Sequence, residues 1–235
     1  MKILIILIVV LLLIISLYYS ITIFMEKFTN ELDNIDAFIY INLENREDRK
    51  KLLLDEFKKL DISEEKIRKI SGVRIHKNGH KGCVQSHILA LQMAKMNKWK
   101  TVAIFEDDAE LVVEPNVFKK MVDEAMSVDK WDVIILHGAN QSVKENGDIK
   151  DHPDLHYLKH STQSTGYIIK EAYYDTLLNL FIQCNDNMNK DNWEKTGWEP
   201  NALDQQWNKL IEKDNWIGFK KNLLKQRAIK SSIMS

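Results

Sequence analysis

Cysteine is scarce in this chain: of 235 residues, only Cys83 and Cys184 carry a thiol. They lie far apart, match neither a zinc-ligand spacing nor the disulfide framework of a small secreted domain, and so leave the compartment open. An excess of charge of one sign is also missing. The 33 basic and 34 acidic side chains give a formal net charge of −1, and they are spread along the sequence. Without a basic face or stripe to neutralise a phosphate backbone, nucleic acid is disfavoured as a partner. No internal repeat or low-complexity tract stands out, and the length suits one large core rather than two.

Charge is absent altogether from Ile3 to Met25, and Ile3 to Leu17 is almost unbroken Ile, Leu and Val. About twenty such residues cross the hydrocarbon layer as a helix. The run exceeds the apolar part of a cleaved signal peptide and no Ala-x-Ala-like site follows it, so residues 1–25 read as an uncleaved anchor. Tyr18 and Tyr19 stand where an interfacial aromatic belt would lie. Lys2 precedes the run while Glu26, Lys27, Glu31 and Asp33 follow, which favours a cytosolic N-terminus and a single-pass type II membrane protein. In a eukaryotic or virus-infected host the domain would then face the ER or Golgi lumen, and otherwise it would sit at the cell inner membrane. Residues 26–34 read as a short stem and 35–235 as the globular domain. Asn140-Gln141-Ser142 is an Asn-x-Ser acceptor that would report a lumenal location.

The chain is organised around Thr101-Val-Ala-Ile-Phe-Glu-Asp-Asp108, an apolar run ending in three consecutive carboxylates. It reads as a buried strand with acids at its C-terminal end, where ligands bind in open α/β sheets. Adjacent acids repel unless a cation neutralises them, and hard oxygen ligands suit Mg²⁺ or Mn²⁺. A solvated turn is the plainer alternative. Ala37 to Leu43 reads as the first strand, and Leu52, Leu53, Phe57 and Leu60 recur at helical spacing after it. A weak strand is expected over Ile67 to Ile75 and a two-glycine loop at Lys77 to Gly82. A helix over Cys83 to Asn97 would put Ser86 and His87 in its first turns, near an anion-favouring N-terminus. His87 taken alone is more often a satisfied core histidine than a site residue. A helix starting at Pro115 follows, then a strand over Trp131 to His137. Residues 138–163 read as irregular and polar, before a strand over Ser164 to Lys170 and a helix over Ala172 to Ile182. Residues 185–192 read as a polar loop, and Leu203 to Lys213 as a last helix.

Four separated pieces agree with one family. Ile41-Asn-Leu-Glu-Asn-Arg-Glu-Asp-Arg49 resembles the strand-end signature of glycosyltransferase family 25, the group of lipopolysaccharide and procollagen galactosyltransferases. Gly82-Cys-Val-Gln-Ser-His87 resembles its Gly-Cys-x-x-Ser-His motif, Ile104 to Asp108 its Glu-Asp-Asp motif, and Gln226 to Ile233 its closing pattern. The resemblance covers roughly Ile35 to the C-terminus. Two departures stand out: Ser232 occupies a position where an acid is common, and no histidine follows His160 to serve as a late metal ligand.

The resemblance implies a GT-A type fold, a Rossmann-like mixed sheet flanked by helices, here preceded by one transmembrane helix. It further implies a UDP-sugar donor, a glycan or hydroxylated protein acceptor, and an Mn or Mg divalent cation. A departing diphosphate gains negative charge, which such an ion offsets. Glu106 and Asp108 are the expected metal ligands, and Glu106 also faces the nucleotide. Asp107, between them on an extended segment, is expected to point the other way. Asn42, Ser86, Asp107 and Gln226 are expected to contact substrate through their motifs. Arg46 and Arg49 would pair with phosphate oxygens, or else form surface ion pairs with Glu47 or Asp48. Inverting transfer also needs a base to take the acceptor's proton. Asp204 is the expected base, with a helix N-cap as its alternative, and His87 is the second catalytic candidate. A competing reading is a catalytically silent member that binds glycans or protein. A metal-dependent phosphohydrolase would need more acids or histidines around a two-metal site than the sequence offers.

Overall fold

In the computed structural model, residues 11–19, 32–188 and 199–228 are described. The chain divides into two compact units, residues 1–33 and 34–235. In the first, residues 11–19 are helical, with exposed Leu, Ile and Tyr side chains. The rest of the expected anchor lies outside the described residues. Among those described, no helix is long and apolar enough to cross a membrane.

The second unit is a mixed α/β structure with a central six-stranded sheet. Its strands are β1 (Ala37–Asn42), β2 (Ile67–Ser71), β3 (Thr101–Glu106), β5 (Val133–Ile149), β6 (His152–Lys170) and β7 (Trp216–Phe219), in the order β2-β1-β3-β6-β5-β7. A small second sheet pairs β4 (Ala109–Leu111) with β8 (Leu224–Gln226). β1 runs parallel to both β2 and β3, whereas β6 is antiparallel to β3 and β5. Parallel neighbours need helical crossovers, and α1 (Glu47–Lys59) and α2 (Gly79–Met96) supply them.

The strands at the centre are buried on both faces, which is why they read as continuous apolar runs. Side chains on a strand alternate between faces. Ala37, Ile39, Val102 and Ile104 join one core with Val84 and Leu91 of α2 and with Leu177 and Phe181 of α4 (Tyr174–Asn187). The intervening Phe38 and Phe105 turn to the opposite face and meet Phe57 of α1, with ring centroids 6.1 and 5.1 Å from it.

The structure corrects four expectations. Residues 138–163 are not irregular, because β5 and β6 continue through them as one long antiparallel ribbon with repeated register shifts. The two strands satisfy each other's backbone while many side chains stay in solvent, so apolar alternation is not required. The strand after α1 stops at Ser71, leaving 72–75 as loop. The helix expected over 203–213 is two short ones, α5 (Leu203–Gln206) and α6 (Asn208–Ile211), meeting at Trp207, whose indole donates to Ser161 O over 2.7 Å. Residues 185–187, read as loop, belong to α4, and 189–198 lie outside the described residues. α3 (Pro115–Ser127) begins at Pro115 as its ring geometry favours.

Candidate active site

α2 begins four residues earlier than its apolar pattern suggested, because Asn78 Oδ1 accepts from Lys81 N over 2.9 Å and caps it. Ser86 and His87 therefore fall in the third turn, too far from the N-terminus for its dipole to reach an anion. Gly82 explains the placement of the helix. A Cβ there would lie 2.3 Å from Val73 O, so only glycine lets α2 press against the loop after β2. Ser86 fastens the same contact by donating to Gly82 O over 2.7 Å and accepting from Val73 N over 2.8 Å. Its hydroxyl thus fastens the wall of the cavity that Ser86 also lines.

The three acids close β3. Glu106 is the last residue of the strand, and Asp107 and Asp108 form the turn into β4. A turn does not alternate like a strand, and Asp107 does not point away from its neighbour: Arg49 Nη1 donates to Asp107 Oδ1 over 2.8 Å and to Asp108 Oδ2 over 3.2 Å. Asp107 Oδ2 also accepts from Asn42 Nδ2 over 2.8 Å. Asn42 is 1% exposed and donates to Arg46 O as well, so it positions Asp107 beneath the site. Arg46 pairs bidentately with Asp48 at 2.9 Å, the surface ion pair that was its alternative. Hydrogen bonding from Arg46 pulls the Asp48 carboxyl down to about 2.

Asp108 behaves differently. Burial and the Glu106 charge push its carboxyl up to about 7, against the opposing pull of Arg49 and the hydrogen bond from Gln226. Its Oδ1 is buried without a hydrogen-bond partner among the described residues. Gln226 reaches Asp108 Oδ2 over 3.2 Å because β8 pairs with β4, setting Gln226 opposite Ala109.

Glu106 turns toward α2 and β6. It accepts from the Ser164 hydroxyl, and its Oε1 stands 3.6 Å from His87 Nε2. Burial alone would raise its carboxyl, but His87, Ser164 and Arg49 together hold it below the ordinary value. His87 is fully buried, stacked on Tyr167 with its Nδ1 3.1 Å from the tyrosine hydroxyl, and edge-on to Phe181. It lines neither cavity described below, and its polar approach to the site is to Glu106.

Two cavities meet here. The larger, about 700 Å³ counting the solvent-open space at its mouth, is walled by the 72–75 loop with Arg74, by Arg49, and by the three acids. The smaller, about 450 Å³ counted the same way, is bounded by His80, Gln163, Ser164 and Asp204. Cys83, Glu106 and Gln226 border both. Asp204 is not the N-cap of α5, a position held by Ala202. One of its oxygens accepts from Gln163 N over 2.9 Å, bridging α5 to β6. Sequence reasoning assigned no role to Arg74, Cys83, Gln163 or Ser164. Cys83 lay inside a quoted motif, whereas nothing in the sequence distinguished Arg74 from other surface arginines.

No curated protein matches the chain. Among solved structures, a glycosyltransferase involved in the glycosylation of the major capsid of PBCV-1 is 10% identical, covering 77% of this chain and 80% of its own, with a TM-score of 0.46. A mannose-1-phosphate geranyltransferase from Thermus thermophilus is 8% identical over 79% of this chain and 73% of its own, with a TM-score of 0.45. A197 from STIV is 12% identical over 81% and 84%, with a TM-score of 0.40. Residues 63–193, more than half of the chain and including Cys83, His87 and the three acids, match glycosyltransferase family 25 (LPS biosynthesis protein), and the chain belongs to that family.

Proposed function

We propose that this chain moves a hexose, galactose or glucose, from a UDP-sugar to a hydroxyl of a glycan or protein with inversion, on a GT-A type fold. The observation that carries the reading is the junction itself: Glu106, Cys83 and Gln226 border both cavities, so a donor in one and an acceptor in the other would meet over Glu106. Arg49 and Arg74 face the larger cavity, and guanidinium groups suit the diphosphate of a nucleotide-sugar. Asp204 faces the smaller one, where its second oxygen can take the acceptor's proton. The acceptor oxygen bonds to the anomeric carbon from the face opposite the diphosphate, the carbon–oxygen bond to phosphate breaks, and UDP leaves with the electron pair.

The donor set fits a hard divalent cation such as Mn²⁺ or Mg²⁺. Asp108 offers a buried, unpaired oxygen, and its carboxyl is raised by burial first and then by the negative charge of Glu106 beside it. Glu106 and Asp108 would hold the ion, which supplies charge stabilisation for the departing diphosphate. Anchoring by residues 1–25 as a type II membrane protein belongs to the same reading, supported by the charge-free apolar run.

Mass-spectrometric detection of transfer from a panel of UDP-sugars, with Mn²⁺ and candidate acceptors, tests the reading. Hexose transfer, or donor hydrolysis to UDP, is expected. Nucleotide binding without turnover of any donor would overturn it in favour of a catalytically silent binding module.

A further inference from the structure

Outside the acid–arginine network, one cluster brings together three different metal-ligating groups. Cys83 on α2, His87 one turn further along the same helix and Glu106 at the end of β3 each present one ligand atom, and all three atoms lie within 4.8 Å of one another. The i, i+4 spacing puts Cys83 and His87 on one helix face, and parallel pairing with β1 holds Glu106 beneath them. His87 Nε2 is buried and has no hydrogen-bond partner among the described residues, and its nearest acid, Glu106, stands at 3.6 Å. On the far side of the ring, Tyr167 contacts Nδ1 at 3.1 Å. A hydroxyl there can accept the Nδ1 proton and leave the Nε2 lone pair aimed into the cluster, the arrangement that orients metal-bound histidines elsewhere.

We propose that Cys83 Sγ, His87 Nε2 and a Glu106 oxygen form a cation site that selects a borderline-soft divalent ion, zinc, distinct from the hard-cation pair Glu106 and Asp108. Thiolate and imidazole favour zinc over magnesium or manganese. Three protein ligands with a fourth position open to the 450 Å³ cavity is the pattern of a zinc site that keeps a coordination position for water or a substrate hydroxyl. On binding, the Cys83 thiol gives its proton to solvent and the sulfur bonds to the ion. Burial and then the nearby acids push that thiol up, so the ion and not the protein supplies the driving force. Because Glu106 belongs to both sets, zinc would withdraw it from the hard-cation pair and inhibit a manganese-supported reaction.

Cobalt(II) titration of the full chain tests the site without any sugar donor, so its failure and the failure of the transferase reading are separable. The expected result is a near-ultraviolet thiolate-to-cobalt charge-transfer band that one equivalent of zinc abolishes. Cys83→Ser should lose the band, while Cys184→Ser and Asp108→Asn should keep it. Tyr167→Phe should bind zinc roughly 10- to 100-fold more weakly, through loss of the group that orients His87. Absence of the band in the wild-type chain, its survival in Cys83→Ser, or its loss in Asp108→Asn would each overturn the proposal. Should Cys83→Ser not fold, a band kept in Cys184→Ser still assigns the sulfur to Cys83, and a band kept in Asp108→Asn still separates the site from Asp108.

Discussion

Arg49 Nη1 donates to Asp107 Oδ1 over 2.8 Å, joining the first turn of α1 to the end of β3 across 58 positions of sequence. Both side chains are nearly buried, at 6% and 10% exposed. This pair, together with Asp108, makes the floor of the site a charge network centred on one guanidinium.

Removing the guanidinium leaves buried carboxylates uncompensated, which costs roughly 3–5 kcal/mol. Arg49→Met is therefore expected to lower the urea midpoint strongly. Adding Asp107→Asn to it should recover part of the loss, because one of the stranded charges is then gone. Additive effects of the two substitutions would contradict the network.

Asp108 gives the network a pH dependence. A carboxyl raised in the folded state to about 7 binds its proton more tightly than in the unfolded chain. The stability this contributes is fully present below the ordinary carboxylate value near 4 and is lost as pH rises through about 7. Metal-free protein should thus show a Tm contribution that falls across that window, and Asp108→Asn should flatten it. Added Mn²⁺ should raise the Tm most above about pH 7, where the carboxylate is charged. Sugar transfer should be abolished in Asp108→Asn with the fold intact, and equal activity of variant and wild type in Mn²⁺ would remove Asp108 from the site.

Asp204→Asn separates a base from a structural link. Asparagine keeps an oxygen to accept from Gln163 N, so the thermal midpoint should hardly move. Loss of the proton acceptor should lower kcat about 10²- to 10⁴-fold with little change in the donor KM. A variant with wild-type kcat would leave Asp204 only its bridging role.

Gly82→Ala offers a sign test of helix-to-loop contact. In an exposed helix interior the change would stabilise by about 1 kcal/mol. Here the new methyl meets Val73 O at 2.3 Å, so overpacking should prevail, at about 1–3 kcal/mol destabilising. Displacement of the 72–75 wall should also weaken UDP binding, measurable by calorimetry. A stabilised variant with unchanged nucleotide affinity would show the contact to be slack.

Asn140 is exposed in β5 at a backbone φ of 50°. In a eukaryotic secretory host, a glycosidase-sensitive mass shift that disappears in Asn140→Gln would establish a lumenal domain. Digestion of the domain by protease added outside sealed, right-side-in vesicles would overturn the type II orientation.

Much of the framework was determined by the sequence alone, because it rests on local and one-dimensional causes. The apolar, β-branched runs at 37–43 and 101–106 read as buried strands and contain β1 and β3, Pro115 reads as a helix start and opens α3, and the triad of acids was placed at a strand end, though whether it was a site or a solvated turn stayed open. Which acid does what was decided by tertiary structure. Glu106, Asp107 and Asp108 are chemically near-equivalent in sequence, and they differ because His87 and Ser164, Asn42 and Arg49, and Gln226 arrive beside them from β1, α1, α2, β6 and β8. The long β5–β6 ribbon was illegible for a related reason: strands that satisfy each other's backbone in solvent need no apolar period. Cys83 was silent because its partners, one helical turn and one strand away, assemble only when α2, which Gly82 lets pack against the 72–75 loop, lies beside β3.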